Sequence, residues 1–150
     1  MKPIKIFSIL LMLCLGITTA ATAQPAAVKK AANTTFTLTT FDAKGSILST
    51  SNGVFVSNNG ICVSTWKPFV GAMKAEVTDN NGQKYSVETI LGANELYDVA
   101  KFKITAKTNA ALFAPSVVAN SAAWIVMPSQ AGDPVKANID KVEKFMTKYN

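Results

Sequence analysis

Ser51 to Phe69 reads SNGVFVSNNGICVSTWKPF, and this stretch decides the fold. Val54-Phe55-Val56 and Ile61-Cys62-Val63-Ser64 are short apolar runs of strand-forming character, and Ser57-Asn58-Asn59-Gly60 between them is a turn. Asn-Gly accepts the positive φ that a tight reversal needs, so the two runs fold back as antiparallel neighbours. The pattern recurs outward on both sides. Thr34 to Phe41, with Phe36 and Leu38 two apart, leads through Asp42-Ala43-Lys44-Gly45 to Ser46–Thr50, a hairpin signature. Ala75 to Thr78, the turn Asp79-Asn80-Asn81-Gly82 and Lys84 to Leu91 repeat it. Val99 to Ile104 alternates, with Ala100, Phe102 and Ile104 on one face and Lys101 and Lys103 on the other, as a half-buried strand does. About six or seven short strands with almost no helix between Phe36 and Ile104 predict an all-β class, as a small barrel or sandwich.

Composition fits that class. Of 150 residues, 49% are hydrophobic and only 16% charged, which excludes disorder for the chain as a whole. Lys2 and Lys5 precede the apolar run Ile6 to Ile17, and Ala21-Thr22-Ala23 before Gln24 is a small-x-small cleavage site. Residues 1–23 are therefore expected to be a signal peptide cut between Ala23 and Gln24, with periplasm or exterior as the destination and no membrane span in the mature chain. Cleavage leaves about 127 residues, enough for one ordinary core. It also leaves 13 lysines against 9 acidic residues, a mild positive balance expected to be a solvated surface rather than a nucleic-acid footprint.

The sequence contains no His, which excludes His-based dyads, triads and metal sites. All 15 basic residues are Lys, so the planar fork that reads phosphate or guanine bidentately is missing. Cys62 is the only cysteine of the mature chain, which rules out an internal disulfide and reads as a buried, inert thiol. No calcium-loop spacing of carboxylates and no phosphate-binding glycine run is present, so neither metal nor cofactor is expected.

The flanks are less regular. Residues 24–33 (QPAAVKKAAN) read as a linker, and Thr105 to Ala114 as a polar connector. Pro115 to Val118 and Ala122 to Met127 are further apolar segments, the second ended by Pro128. In the tail, Ile139, Val142, Phe145, Met146 and Tyr149 fall on one helical stripe, so periodicity favours a helix there. Trp66, Phe69, Trp124 and Tyr149 are expected to pack in or between such units.

Ser51 to Phe69 also resembles the region around the catalytic histidine of trypsin-like serine proteases, particularly exported bacterial ones. Gly53, Gly60, Val63 and Ser64 match the family pattern, and the histidine position falls on Lys67. Tyr97 to Ile104 (YDVAKFKI) resembles the family strand whose Asp orients that histidine, and Asp98 occupies the Asp position. The resemblance implies a six-stranded antiparallel β-barrel over residues 34–114, the N-terminal half of a double-barrel fold. It further implies that residues 115–150 are the truncated start of a second barrel, in a divergent subgroup whose longer relatives carry tetratricopeptide repeats. On that view Ala122 to Pro128 and Lys141 to Phe145 are strands, against the helix that periodicity favours. The family's nucleophile motif would lie beyond Asn150.

What the resemblance then implies is an inactive homologue, with Lys67 and Asp98 as vestigial positions and binding or scaffolding of a protein or peptide as the surviving role. Self-association through an exposed strand of the second barrel goes with it. The alternatives are a fragment of an exported endopeptidase completed downstream, or an unrelated small β-rich envelope protein. Independently of any family, Asp98 without a histidine reads as a turn carboxylate that accepts backbone N–H bonds and holds loop to strand. Lys67 reads as a surface lysine, and a lysine base beside Ser64 is the only catalytic alternative. Protein recovered from its native source is expected to begin at Gln24 by intact mass; a chain still carrying residues 1–23 would overturn the cleavage.

Overall fold

A computed structural model describes residues 26–128 and 133–142. The signal peptide with Ala23 and Gln24, and the tail residues Phe145, Met146 and Tyr149, lie outside the described residues. The described residues begin with a short helix α1 (Ala26–Ala32) and continue through β1 (Thr35–Phe41), β2 (Ile47–Phe55) and β3 (Ile61–Ser64). A 3-10 turn at Lys67–Phe69 precedes β4 (Lys74–Asp79), β5 (Lys84–Asn94) and β6 (Val99–Ile104). Strands β7 (Ser121–Ile125) and β8 (Val135–Ile139) follow.

Strands β1 to β6 close into an antiparallel barrel in the order β1-β2-β3-β6-β5-β4. Closure removes the free edges that an open sheet would present. Alternation decides which residues fill the interior. Ala100, Phe102 and Ile104 of β6 are fully buried and Lys101 and Lys103 are exposed, as the sequence pattern predicts. On β1 the buried residues are Phe36, Leu38 and Thr40, and Val77 and Cys62 complete the floor of the core. The aromatic rings hold one another: Phe36 lies 4.8 Å from Phe55 and 6.0 Å from Phe102, and Phe102 meets Phe69 at 5.2 Å, edge to face.

Two of the hairpin turns use one device. Asp42 Oδ1 accepts the N–H groups of Lys44 and Ser46, each at 2.8 Å, and Gly45 at φ 80° donates to the Asp42 carbonyl. Asp79 Oδ1 does the same for Asn81 and Gln83, and Gly82 at φ 79° donates to the Asp79 carbonyl. A short carboxylate that mimics a backbone turn, followed by a residue able to take positive φ, is what both sequences supply.

Three expectations are corrected. Ser46–Thr50 and Val54–Val56 are not separate strands but one long β2, because Gly53 carries the strand through a crowded point without interruption. A Cβ at Gly53 would sit 2.3 Å from the Phe36 ring, so only glycine lets that ring cross the strand. The 24–33 linker contains helix α1, since AAVKKAA is rich in the best helix former and buries Val28. In the tail, Val135–Ile139 is strand rather than helix: it pairs with β7 in the register Ser121↔Ile139 to Ile125↔Val135. Backbone groups along β7 recruit it, and Val and Ile at its ends suit a strand, so a tertiary partner decides the conformation up to Ile139, where the helical stripe begins. Among the described residues, no helix is long and apolar enough to cross a membrane.

Phe102 touches both the inner rings and the 3-10 turn, so its removal opens a cavity that the closed barrel cannot collapse. Phe102→Ala is expected to cost about 3–5 kcal/mol, read as a lower urea midpoint at unchanged slope.

Candidate active site

The loop between β3 and β4 and the loop between β5 and β6 meet at one end of the barrel. Their meeting continues a ladder: β3 and β6 pair from Ile61↔Lys103 to Ser64↔Ala100, and just beyond it Trp66 N–H donates to the Asp98 carbonyl at 3.3 Å. Lys67 N–H then donates to Asp98 Oδ1 at 2.7 Å. Asp98 reaches both because it is one of two non-glycine residues with positive φ among the described residues, at 50°. That left-handed conformation is tolerated by Asp far better than by most residues, and here it turns carbonyl and carboxylate toward the same loop. A second turn supports it, with Tyr97 N–H donating to Asn94 Oδ1 at 3.1 Å and Asp98 N–H to the Glu95 carbonyl at 3.3 Å.

The structure thus brings Lys67 and Asp98 together, but through the backbone of one and the carboxylate of the other. The Lys67 side chain is exposed. Its neighbours are anchored instead: Trp66 stacks on Phe69 at 6.1 Å with the planes 21° apart, and Phe69 reaches Phe102 in the core. Trp66 and Phe69 are therefore packing residues that pin the 3-10 turn onto the barrel, with Pro68 buried between them in sequence. Trp124 is half-buried on the β7–β8 hairpin, where the Lys136 ammonium lies 5.6 Å from its ring.

Ser64, beside the loop, is committed elsewhere. Its Oγ donates to the Asn52 carbonyl at 2.8 Å and lies 3.2 Å from Ser51 Oγ, so its one proton is held by a backbone acceptor and Ser51 is the donor of the pair. Such a hydroxyl is not presented to a base. The Cys62 thiol is fully buried against β6, and that burial pushes its pKa up to about 12, so it stays protonated and unreactive at neutral pH. Among the described residues, no three His, Cys, Asp or Glu side chains gather as metal ligands.

Two features escaped the sequence reading. Asn94 carries no motif, although an Asn opening a short polar turn is a weak signal for the bond it makes. Asn58 clamps the connector after β6, its carbonyl accepting Thr108 N–H at 3.2 Å and its Oδ1 accepting Ala110 N–H at 3.0 Å. Partners some fifty positions apart leave no local pattern to read.

No family model matches the sequence, and no curated protein matches it. Among solved structures, a serine endoprotease from Yersinia pestis is similar at 25% identity and a TM-score of 0.49, over 53% of this chain and 28% of that one. The chain thus spans under a third of that protein's length.

The carboxylate of Asp98 separates two substitutions. Asp98→Ala loses a charge-assisted bond to Lys67 N–H and puts alanine at positive φ, so it is expected to cost about 2–3 kcal/mol. Asp98→Asn keeps an acceptor and the tolerated φ and is expected to cost under about 1 kcal/mol. Urea unfolding of both variants checks the difference; equal losses would remove the structural role of the bond.

Proposed function

We propose that this chain is an exported, catalytically inactive homologue of trypsin-like serine proteases, whose retained role is to bind or scaffold a protein or peptide. The observation that carries the reading is the loop at Lys67. Where the resemblance puts a proton-accepting imidazole, the chain has an exposed ammonium side chain, and the partner carboxylate of Asp98 is spent on the Lys67 backbone N–H at 2.7 Å. A general base must reach the proton it takes, and an exposed ammonium group offers hydrogen-bond donors and no acceptor. Asp98 is kept on this reading because it staples two loops, a task that outlasts catalysis. Ser64, with its proton on a carbonyl, supports the same conclusion from the other side of the loop.

The barrel remains a rigid frame that carries exposed loops, and loops on a rigid frame are what binding uses. Leu96 at 75% exposure, Tyr97 and Val99 stand beside Asp98 as apolar surface.

Purified mature protein treated with a fluorophosphonate serine-hydrolase reagent is expected to take up no label and to leave casein intact. Labelling that disappears on denaturation would overturn inactivity, and with it the reading of Lys67.

A further inference from the structure

Three Asn-Gly pairs occur in the sequence, Asn52-Gly53, Asn59-Gly60 and Asn81-Gly82, and the fold treats them differently. Gly53 lies within β2, paired with Phe36 on one side and Ser64 on the other. Gly82 ends a turn in which its N–H donates to the Asp79 carbonyl at 3.0 Å, as Gly45 N–H does to Asp42 at 3.1 Å. Gly60 sits at the same kind of turn with φ 85°, but the corresponding carbonyl, that of Ser57, accepts the Thr108 hydroxyl at 2.6 Å instead. Gly60 N–H still faces that carbonyl across the Asn58–Asn59 turn, but it makes no bond there as close and straight as those of Gly45 and Gly82. An amide N–H held loosely in its turn gives up less hydrogen bonding when its nitrogen turns on the neighbouring side chain than one held closely.

The neighbour is prepared. Asn59 is exposed, and its side-chain carbonyl Oδ1 accepts a hydrogen bond from the Ser57 hydroxyl, which is itself fixed by accepting Ile61 N–H at 3.0 Å. A donor held against a carbonyl oxygen stabilises the negative charge that develops there when the carbon is attacked.

We infer that Asn59-Gly60 is a self-modification site, at which the chain deamidates in its folded state faster than at its other two Asn-Gly pairs. The Gly60 nitrogen, giving its proton to solvent, bonds to Asn59 Cγ while Ser57 holds the developing oxyanion. The Cγ–N bond of the side-chain amide then breaks, and that nitrogen leaves as ammonia after taking up a proton from solvent. The resulting cyclic imide is opened by water at either carbonyl, which gives aspartate or isoaspartate. The net change is one water consumed and one ammonia released, with no oxidant or reductant.

The modification is not silent, because of where it lies. Asn59, Lys103, Thr105 and Lys107 line one open cleft of about 760 Å³, so either product places a carboxylate beside two lysines. Isoaspartate also lengthens the backbone just before Gly60, whose carbonyl accepts Ile104 N–H at 2.9 Å and whose Cα leaves no room for a Cβ against Ile104. The longer turn pulls on the end of β6.

The mature protein incubated in mildly alkaline buffer, then fragmented after lysine and read by tandem mass spectrometry with isoaspartate detection, tests this. Asn59 is expected to convert several-fold faster than Asn52 and Asn81 in the folded protein, and at a similar rate to them in concentrated urea. Equal native rates, or a lead by Asn52 or Asn81, overturn the proposal. Ser57→Ala is expected to slow Asn59 alone; an unchanged or faster rate removes the hydroxyl from the mechanism.

Discussion

The barrel depends on a ring that passes over a strand. Phe36 fits because Gly53 offers it no Cβ, and from that seat it reaches Phe55 on its own side and Phe102 across the interior. A six-stranded barrel has a narrow interior that side chains must fill completely. Here three phenylalanines and the aliphatic residues Leu38, Val77 and Ile104 do so, with Thr40 buried among them and its hydroxyl within 3.5 Å of the Ser49 carbonyl. Were the glycine any other residue, the ring would be displaced and with it the contact to Phe102. The 3-10 turn that holds Trp66 and Lys67 hangs on that contact through Phe69.

The strands were legible where burial is one-sided. Val99 to Ile104 declares its inward and outward faces residue by residue, because a barrel wall has one dry side and one wet side. The turns at Asp42 and Asp79 were legible for another reason: their bonds close within four residues. What could not be read was set by distance. The helical stripe of the tail begins at Ile139, the last residue of the Val135–Ile139 strand, and nothing in that segment records that Ser121–Ile125 offers unpaired backbone groups nearby. The length of β2 was hidden by the ring of Phe36, which lies 17 residues before the glycine that admits it. Helix α1 was hidden by composition, since alanine and lysine serve a linker as readily as a helix until Val28 finds a place to be buried.

The loop at Lys67 was half legible. A carboxylate thirty-one residues away was expected to accept a backbone N–H and hold loop to strand, and Asp98 does so. Its left-handed backbone was not foreseen, nor was the doubled connection through its own carbonyl. Both follow from the ladder between β3 and β6 running out at Ser64 and Ala100: the chain extends the pairing by one irregular step, and only a residue at ease with positive φ can make it.

Strand order makes one strand indispensable to closure. Since β1 lies between β2 and β4, and β3 and β5 are joined only through β6, the first five strands by themselves can pair only as an open sheet, β3-β2-β1-β4-β5. Without Val99–Ile104 such a sheet would have two raw borders and would leave the side of Phe36, Leu38 and Val77 uncovered. The sixth stave is therefore the keystone, the strand that joins the two borders and closes the ring. Its inner side brings the ring that completes the aromatic cluster, and its outer side brings two lysines that turn a sticky border into a wet wall.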